Sequence, residues 1–170
     1  MSLGRLLVLT LMGALGAALL RATALEGVYI ASGSMEPTLP VGAHLFLDKV
    51  TPRLRDYRRG EIISFRAPIP PYHPMVKRVI AVAGDTVELR KKVVYLNGSA
   101  VDDPYARHSR PDETLDGDNL GPLQVPEGKL FVLGDNRDES DDSSVWRAPS
   151  GERVYFVSVS WVDGLVRGIY

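Results

Sequence analysis

Frequent turn-forming residues constrain the fold of this chain more than any other feature of its sequence. The 170 residues include 16 Gly and 12 Pro. Glycine and proline favour turns and are poorly tolerated inside long helices. Beyond the N-terminal segment, no stretch keeps a helical period of apolar residues over three turns. The sequence therefore predicts a mainly β fold of short strands.

Short segments rich in apolar and β-branched residues stand between these turns. The predicted strands are residues 28–30, 44–47, 62–65, 76–82, 86–89, 93–96, 130–133 and 154–162. Asn97-Gly98 directly follows one of them and is a strong signal for a hairpin. The polar stretch beyond it is rich in Asp and Pro. It indicates that residues 97–128 form a hairpin plus an inserted loop or small subdomain.

The N-terminus carries one long apolar run. Residues 6–20 hold no charge, and an arginine stands on each side of them. The run is short for a membrane-spanning helix, which needs about 20 apolar residues, although flanking arginines can reach the lipid headgroups. Three interpretations compete: an uncleaved anchor, a secretory signal cleaved at the small residues 22–24, and a core helix. We expect an anchor over residues 1–22 and a folded domain over 23–170.

Composition excludes several kinds of chemistry. Without cysteine the chain has no disulfide, no thiol nucleophile and no thiolate metal site. Its formal net charge of -1 gives no sign of a nucleic-acid partner. The acidic stretch 134–143 does not match a calcium loop, because the expected glycine and glutamate are missing from the sixth and twelfth positions. No metal and no cofactor are predicted.

Ser34 lies in a turn-like segment that could present a nucleophile. Gly33 lets a substrate approach closely, and Pro37 stiffens the turn. A serine hydroxyl needs a base, usually histidine. The chain has three histidines: His44, His73 and His108. None of them lies in a recognisable hydrolase motif, and Ser34 lacks the Gly-x-Ser-x-Gly elbow. These residues alone are also typical of an ordinary polar turn.

Lys77 is the alternative base. An amine accepts a proton only when it is neutral, and at the unperturbed pKa of about 10.4 well under a thousandth is neutral at pH 7. Burial lowers the pKa of a lysine. The residues around Lys77 are apolar: Met75, Val76, Val79 and Ile80. In a strand, Met75 and Val79 share its face. By themselves these residues leave open both a general base and an exposed strand lysine.

Four separated segments carry more specific motifs. They are Ser-Gly-Ser-Met-Glu-Pro-Thr-Leu at 32–39, Arg-Gly-Glu-Ile-Ile-Ser-Phe at 59–65, Lys-Arg-Val leading to Gly-Asp at 77–85, and Gly-Asp-Asn-Arg-Asp at 134–138. Their order, content and placement behind an apolar segment closely resemble type I signal peptidase, the bacterial leader peptidase family. The resemblance extends over about residues 28–162.

The resemblance implies a catalytic dyad in which Ser34 is the nucleophile and Lys77 the general base. Lysine at this position is typical of the bacterial type, whereas the microsomal and archaeal relatives carry histidine. Ser32 matches the family position whose hydroxyl completes the oxyanion hole, together with the backbone amide of Ser34. Such donors stabilise the tetrahedral intermediate by about 3 kcal/mol each.

Five further residues match positions that support the dyad in this family: Ser140, Asp135, Arg137, Asp142 and Arg78. The resemblance implies that Ser140 hydrogen-bonds the catalytic amine. It also implies two ion pairs, Arg137 with Asp142 and Arg78 with Asp135. Two residues beyond the last aspartate of the acidic segment, this chain carries Ser144 where the family usually has Arg.

The implied function is that of a membrane-bound serine endopeptidase. It would cleave signal peptides from exported preproteins after small residues in an Ala-x-Ala pattern. The implied fold consists of coiled antiparallel sheets with one N-terminal transmembrane helix. The implied location is the cytoplasmic membrane, with residues 23–170 as an extracytoplasmic catalytic domain. The expected partners are preprotein signal peptides and the lipid bilayer, and the expected state is a monomer.

Two rival interpretations remain. The first is a narrower processing protease that uses the same dyad. The second is an anchored β-rich binding domain without activity.

Overall fold

The structure, a computed structural model, describes residues 2–169, without the side chains of residues 15 and 17–25. Helix α1 spans Leu3–Ala24 and continues into strand β1, Leu25–Tyr29. The other strands are β2 His44–Asp48, β3 Ile62–Arg66, β4 Pro74–Val82, β5 Thr86–Arg90, β6 Val93–Leu96, β7 Ser99–Ala100, β8 Leu120–Gln124, β9 Lys129–Leu133, β10 Val157–Ser158 and β11 Val162–Ile169.

Within the described part of the chain, no helix combines the length and the apolar character needed to cross a membrane. The transmembrane helix expected from the sequence is therefore not found among these residues, although the apolar run does form helix α1.

Two antiparallel sheets make up the fold, which confirms the prediction of a mainly β protein. The larger sheet has the strand order β1-β2-β11-β3-β4-β9-β10, and the smaller one has the order β7-β6-β5-β8. Shifts of register interrupt the pairing of β11 with both of its neighbours and the pairing of β4 with β9. Because such bulges bend and twist strands, the large sheet curls.

Most predicted strands are found within a few residues of their expected limits, but the predicted final strand over 154–162 is wrong. The chain there forms the two-residue strand β10, a 3-10 turn at Val159–Trp161, and then β11. The backbone N–H of Val159 donates to the carbonyl of Gly128. This bond ties the turn to the start of β9, and the chain then leaves the edge of the sheet to run between β2 and β3.

Strands β4 and β9 separate the two main apolar cores, because alternate residues point to opposite faces of a strand. Val79 and Val132 lie in the core of the large sheet, whereas Ile80 and Phe131 lie in the core shared with the small sheet. A third, smaller cluster lies beneath the segment that carries Ser34.

Candidate active site

Ser34 lies in a short 3-10 turn, Gly33–Met35, that is anchored by apolar side chains. Met35 is 1% exposed and packs in one cluster with Ile30, Leu39 and Leu45. The backbone N–H of Leu39 donates to the carbonyl of Met35 and closes the following turn. The anchored Met35 therefore holds the neighbouring serine in a defined place.

Strand β4 carries Lys77 to this turn. Lys77 pairs with Ile63 of β3. Met75 and Val79, two positions before and after Lys77, belong to the same core cluster as Ile63, as alternation along a strand predicts. The Lys77 side chain is 2% exposed, and its Nζ lies 2.6 Å from Ser34 Oγ. The structure thus brings together the two residues, 43 positions apart, that were expected to form the dyad.

Burial lowers the pKa of the Lys77 amine below its usual value of 10.5. The carboxylates of Asp142, Asp141 and Asp135 act in the opposite direction, since negative charge favours the ammonium form. Burial is the largest effect. A neutral amine beside a hydroxyl can accept its proton, so this pair has the geometry and the electrostatic setting for serine activation.

The expected ion pair between Arg78 and Asp135 is present and buried. Arg78 donates from Nε and Nη2 to the two carboxylate oxygens of Asp135, at 2.8 and 2.6 Å. Thr38 Oγ1 donates to Asp135 Oδ2 at 2.5 Å, and the ring of Tyr105 stacks on the Arg78 guanidinium at 3.8 Å. Asp135 therefore connects strand β4 with the turn that follows Ser34.

Ser32 and Ser140 are the two other serines expected at the site. Ser32 Oγ lies 3.4 Å from Ser34 Oγ. The buried hydroxyl of Ser140 has no hydrogen-bond partner among the described residues, so its expected bond to the Lys77 amine is not formed. A Cβ atom on Gly134 would lie 2.7 Å from Ser140 Cβ and 2.5 Å from the carbonyl oxygen of Ser34. Glycine is therefore required for this close approach.

The expected ion pair between Arg137 and Asp142 is wrong. Arg137 instead forms its salt bridge with Asp103 and donates from Nε to the carbonyl of Gly134. The buried carboxylate of Asp142 accepts from the backbone N–H of Gly134 at 2.9 Å and from the N–H and hydroxyl of Ser144 at 3.0 and 2.7 Å. Because these neutral donors already surround Asp142, the carboxylate is satisfied without an arginine.

Sequence reasoning assigned no role to Asn136, although this residue lies inside the quoted motif 134–138. Asn136 is 7% exposed. Its backbone N–H donates to the carbonyl of Ser34 at 3.0 Å, and its Nδ2 donates to the carbonyl of Gly33 at 3.1 Å. The available signal was its position in the motif, between Asp135 and Arg137, which were both expected to support the site.

A cleft of about 220 Å³ opens onto the pair and is lined by residues of 28–35 on one side and 73–77 on the other. Strand β4 pairs with β9 only from Arg78 onward, so residues 74–77 have β3 on one edge and no described strand on the other. The carbonyl of His73 accepts from the N–H of Ala67, just after β3, and the N–H of Val79 donates to the carbonyl of Glu61, just before it. The backbone groups of odd-numbered residues of β4 therefore face β3. The backbone groups of Val76 therefore point into the open edge.

The three histidines lie in three different surroundings. His44 packs on the ring of Tyr29, and His108 Nδ1 lies 3.5 Å from Asp138 Oδ1. His73 lines the cleft from its exposed loop. Among the described residues, no group of three or more His, Asp or Glu side chains is placed to hold a metal ion.

Comparison with known proteins identifies the family. The family model described as signal peptidase, peptidase S26, matches residues 3–170. A signal peptidase I of Bacillus licheniformis is 39% identical over 131 residues, which cover 75% of this chain and 70% of the relative. A probable signal peptidase I-2 of Synechocystis sp. is 36% identical over 151 residues, covering 86% of this chain and 65% of the relative. The chain thus spans about two thirds of the length of these curated relatives.

A solved structure agrees with this result. The crystal structure of a signal peptidase I from Enterococcus faecalis V583 matches with a TM-score of 0.52 and 32% identity, covering 66% of this chain and 98% of that chain. The family match over nearly the whole sequence, the identity to the relatives and the shared curled antiparallel sheets all lead to one assignment. This chain belongs to the signal peptidase family, peptidase S26.

Proposed function

We propose that this protein is a signal peptidase I that uses Ser34 and Lys77 as a catalytic dyad. The observation that carries the proposal is the 2.6 Å contact between Lys77 Nζ and Ser34 Oγ in a buried setting that lowers the pKa of the amine. The relatives named signal peptidase I support the same activity.

The proposed reaction follows from this arrangement. Ser34 Oγ attacks the scissile carbonyl while the neutral Lys77 amine takes the hydroxyl proton. The oxyanion that forms is stabilised by the Ser34 backbone N–H and the Ser32 hydroxyl. Lys77 then delivers the proton to the departing amine, which leaves an ester on Ser34. Lys77 next takes a proton from water, the hydroxide hydrolyses the ester, and the serine is restored.

The substrate is proposed to be an exported preprotein, cut after a small-x-small sequence such as Ala-x-Ala. The open edge of β4, where the N–H and C=O of Val76 face the cleft, supports binding of an extended peptide by strand addition. The cleft of about 220 Å³ is small, which favours alanine-sized side chains next to the scissile bond.

We also propose that the protein works at the cytoplasmic membrane, with residues 23–170 on the extracytoplasmic side, and as a monomer. Helix α1 exposes apolar side chains such as Leu3, Leu7 and Leu11, and Tyr29 and Ile169 are exposed on the nearby strands. Exposed apolar surface of this kind favours contact with lipid. Ser34 and Lys77 come from one chain, so the dyad needs no second copy.

The test is cleavage of a preprotein with an Ala-x-Ala site by the full chain in detergent. Ser34→Ala and Lys77→Ala are expected to lose at least about 10³-fold in kcat, as removal of a nucleophile or its base does in serine hydrolases. Ser99→Ala and Lys129→Ala are matched controls on the small sheet and on β9, and their rates should equal that of the wild type. Undiminished cleavage by either dyad variant would end the proposal.

The same assay separates the rivals. A narrower processing protease would cut one or a few preproteins and ignore most sequences with an Ala-x-Ala site. A binding domain would cut none, and its Ser34→Ala variant would still retain the peptide.

A further inference from the structure

Asn136 donates hydrogen bonds to two consecutive carbonyl groups of the turn that carries Ser34, here called the nucleophile turn. Its backbone N–H donates to the Ser34 carbonyl at 3.0 Å, and its side-chain Nδ2 donates to the Gly33 carbonyl at 3.1 Å. The orientation of the side-chain amide is fixed, because a rotated amide would set its oxygen against the Gly33 oxygen. These two bonds reach the peptide units on both sides of the Ser34 Cα.

The Gly33 carbonyl and the Ser34 N–H belong to the same peptide unit. This unit is planar and trans, so its C=O and N–H point in opposite directions. A donor that fixes the direction of the Gly33 carbonyl therefore also fixes the direction of the Ser34 N–H. That N–H is the backbone donor of the proposed oxyanion hole, and a donor is effective when it is oriented before charge develops.

This peptide unit needs such a restraint because it follows a glycine. Glycine has no Cβ and permits backbone rotations that other residues resist. The N–H of Glu36 also donates to the Gly33 carbonyl, at 3.1 Å, but it comes from the same short turn. Asn136 supplies the only side-chain donor to that carbonyl among the described residues, and it comes from a separate segment.

We propose that Asn136 is a positioning residue that holds the Ser34 N–H toward the carbonyl oxygen of the substrate. The inference rests on the proposed function, and it assigns to Asn136 an effect on the transition state rather than on substrate binding. Asn136 touches neither the substrate nor the reacting atoms. It acts through the Gly33–Ser34 peptide unit.

The experiment compares Asn136→Ala and Asn136→Asp with the wild type in the full chain. The first variant removes the donor, and the second places an acceptor against the Gly33 carbonyl. Rates are measured on the alkaline plateau, so that added charge acting on Lys77 does not contribute. Both variants are expected to lose about 10- to 100-fold in kcat with KM within about twofold, less than complete loss of an oxyanion donor. Asn119→Asp, an exposed residue whose Oδ1 only accepts, is the matched control and should retain full activity.

A second measurement distinguishes orientation of the donor from general support. A peptide aldehyde forms a tetrahedral adduct on serine with an oxyanion, whereas the alcohol of the same sequence does not. In the Asn136 variants, the inhibition constant of the aldehyde should rise by the same factor by which kcat/KM falls. Binding of the alcohol should be unchanged.

Three results would overturn the inference: plateau rates within about threefold of the wild type, equal weakening of aldehyde and alcohol, or loss of folding in both variants, which would assign Asn136 a structural role. The failure of the proposed function is a separate result. In that case the wild type would not cleave preproteins, or Ser34→Ala would remain active, whatever the Asn136 variants did.

Discussion

At the scale of single residues, the buried amine of Lys77 has both a use and a cost. Its side chain is 2% exposed, and burial lowers its pKa. The nearby carboxylates of Asp142 and Asp141 favour the ammonium form, but they do not outweigh burial. The protein therefore gains an amine that becomes neutral at a lower pH than a lysine in water, and it disfavours the protonation state that lysine prefers there.

The first prediction concerns activity and pH. Below the pKa of Lys77, each unit of pH should raise kcat/KM about tenfold, because only the neutral amine takes the serine proton. The rate should level off above that pKa, which lies below 10.5. The measurement is kcat/KM for a preprotein peptide between about pH 6 and 10, with Lys129→Ala as the control. A flat profile over this range contradicts the role of Lys77.

The second prediction concerns stability and pH. The unfolded chain binds the Lys77 proton more tightly than the folded protein does, so the free energy of unfolding rises with pH between the folded pKa and 10.5. Lys77→Met removes this cost and should raise the neutral-pH stability by about 1 kcal/mol, or 2–4 °C in Tm. The gain should shrink as the pH approaches 10.5. Thermal melts at several pH values test this, and a gain that grows with pH would refute it.

The third prediction concerns Gly134. A Cβ atom there would lie 2.5 Å from the Ser34 carbonyl oxygen, so Gly134→Ala must push the nucleophile turn away from segment 134–138. We expect a loss of about 1–3 kcal/mol in stability and at least a tenfold loss in kcat. Gly121→Ala is the matched control, since nothing lies within 4 Å of its added Cβ. Unchanged activity in Gly134→Ala would show that the close approach is not needed.

At the scale of elements, segment 103–110 lies outside the large sheet and contacts residues that surround Ser34 and Lys77. Asp103 pairs with Arg137, Tyr105 stacks on Arg78, and Arg107 forms a backbone bridge with Asn136. This segment lies within the polar stretch that the sequence indicated only as an insertion. Residues 103–107 therefore contact the acidic segment next to Ser34 directly.

The fourth prediction concerns the link between β4 and segment 134–138. Asp135 is 0% exposed and holds Arg78 through two hydrogen bonds, so Asp135→Ala leaves a buried guanidinium unpaired. We expect a loss of about 3–5 kcal/mol in the free energy of unfolding in urea. Asp116→Ala breaks an exposed pair with Arg153 and should cost about 1 kcal/mol or less. Equal losses in the two variants would contradict the assignment.

Sequence predicted the elements better than their connections. Residues 93–96 were predicted and found as strand β6, because Asn97-Gly98 marks its end and both residues adopt the positive φ of a tight hairpin. The final strand was misplaced because Gly164 and Gly168 lie within it and glycine usually interrupts strands. The partner of Arg137 could not be predicted, since Asp103 lies 34 residues away in a segment with no regular pattern.

At the scale of the whole molecule, strands β4 and β9 belong to both main cores. Val79 packs in the core of the large sheet, and its neighbour Ile80 packs in the core shared with the small sheet. Val132 and Phe131 divide in the same way on β9. If β4 and β9 left one core, apolar surface of the other core would also become exposed. We therefore expect the two sheets to unfold as one cooperative unit.

The fifth prediction follows from the contribution of β4 and β9 to both cores. Val87 is fully buried in the core shared with the small sheet, whereas Trp146 is buried in the core of the large sheet. In a Trp161→Phe background, Trp146 is the single tryptophan and reports on the large sheet alone. Val87→Ala should then lower the urea midpoint of Trp146 fluorescence at an unchanged m-value, which corresponds to a loss of about 2 kcal/mol in the free energy of unfolding. Val93→Ala, at a residue that is 44% exposed on β6, is the control and should lower the free energy of unfolding by less than about 0.5 kcal/mol. A midpoint that does not respond to Val87→Ala would mean that the small sheet unfolds on its own, and β4 and β9 would then not couple the two cores.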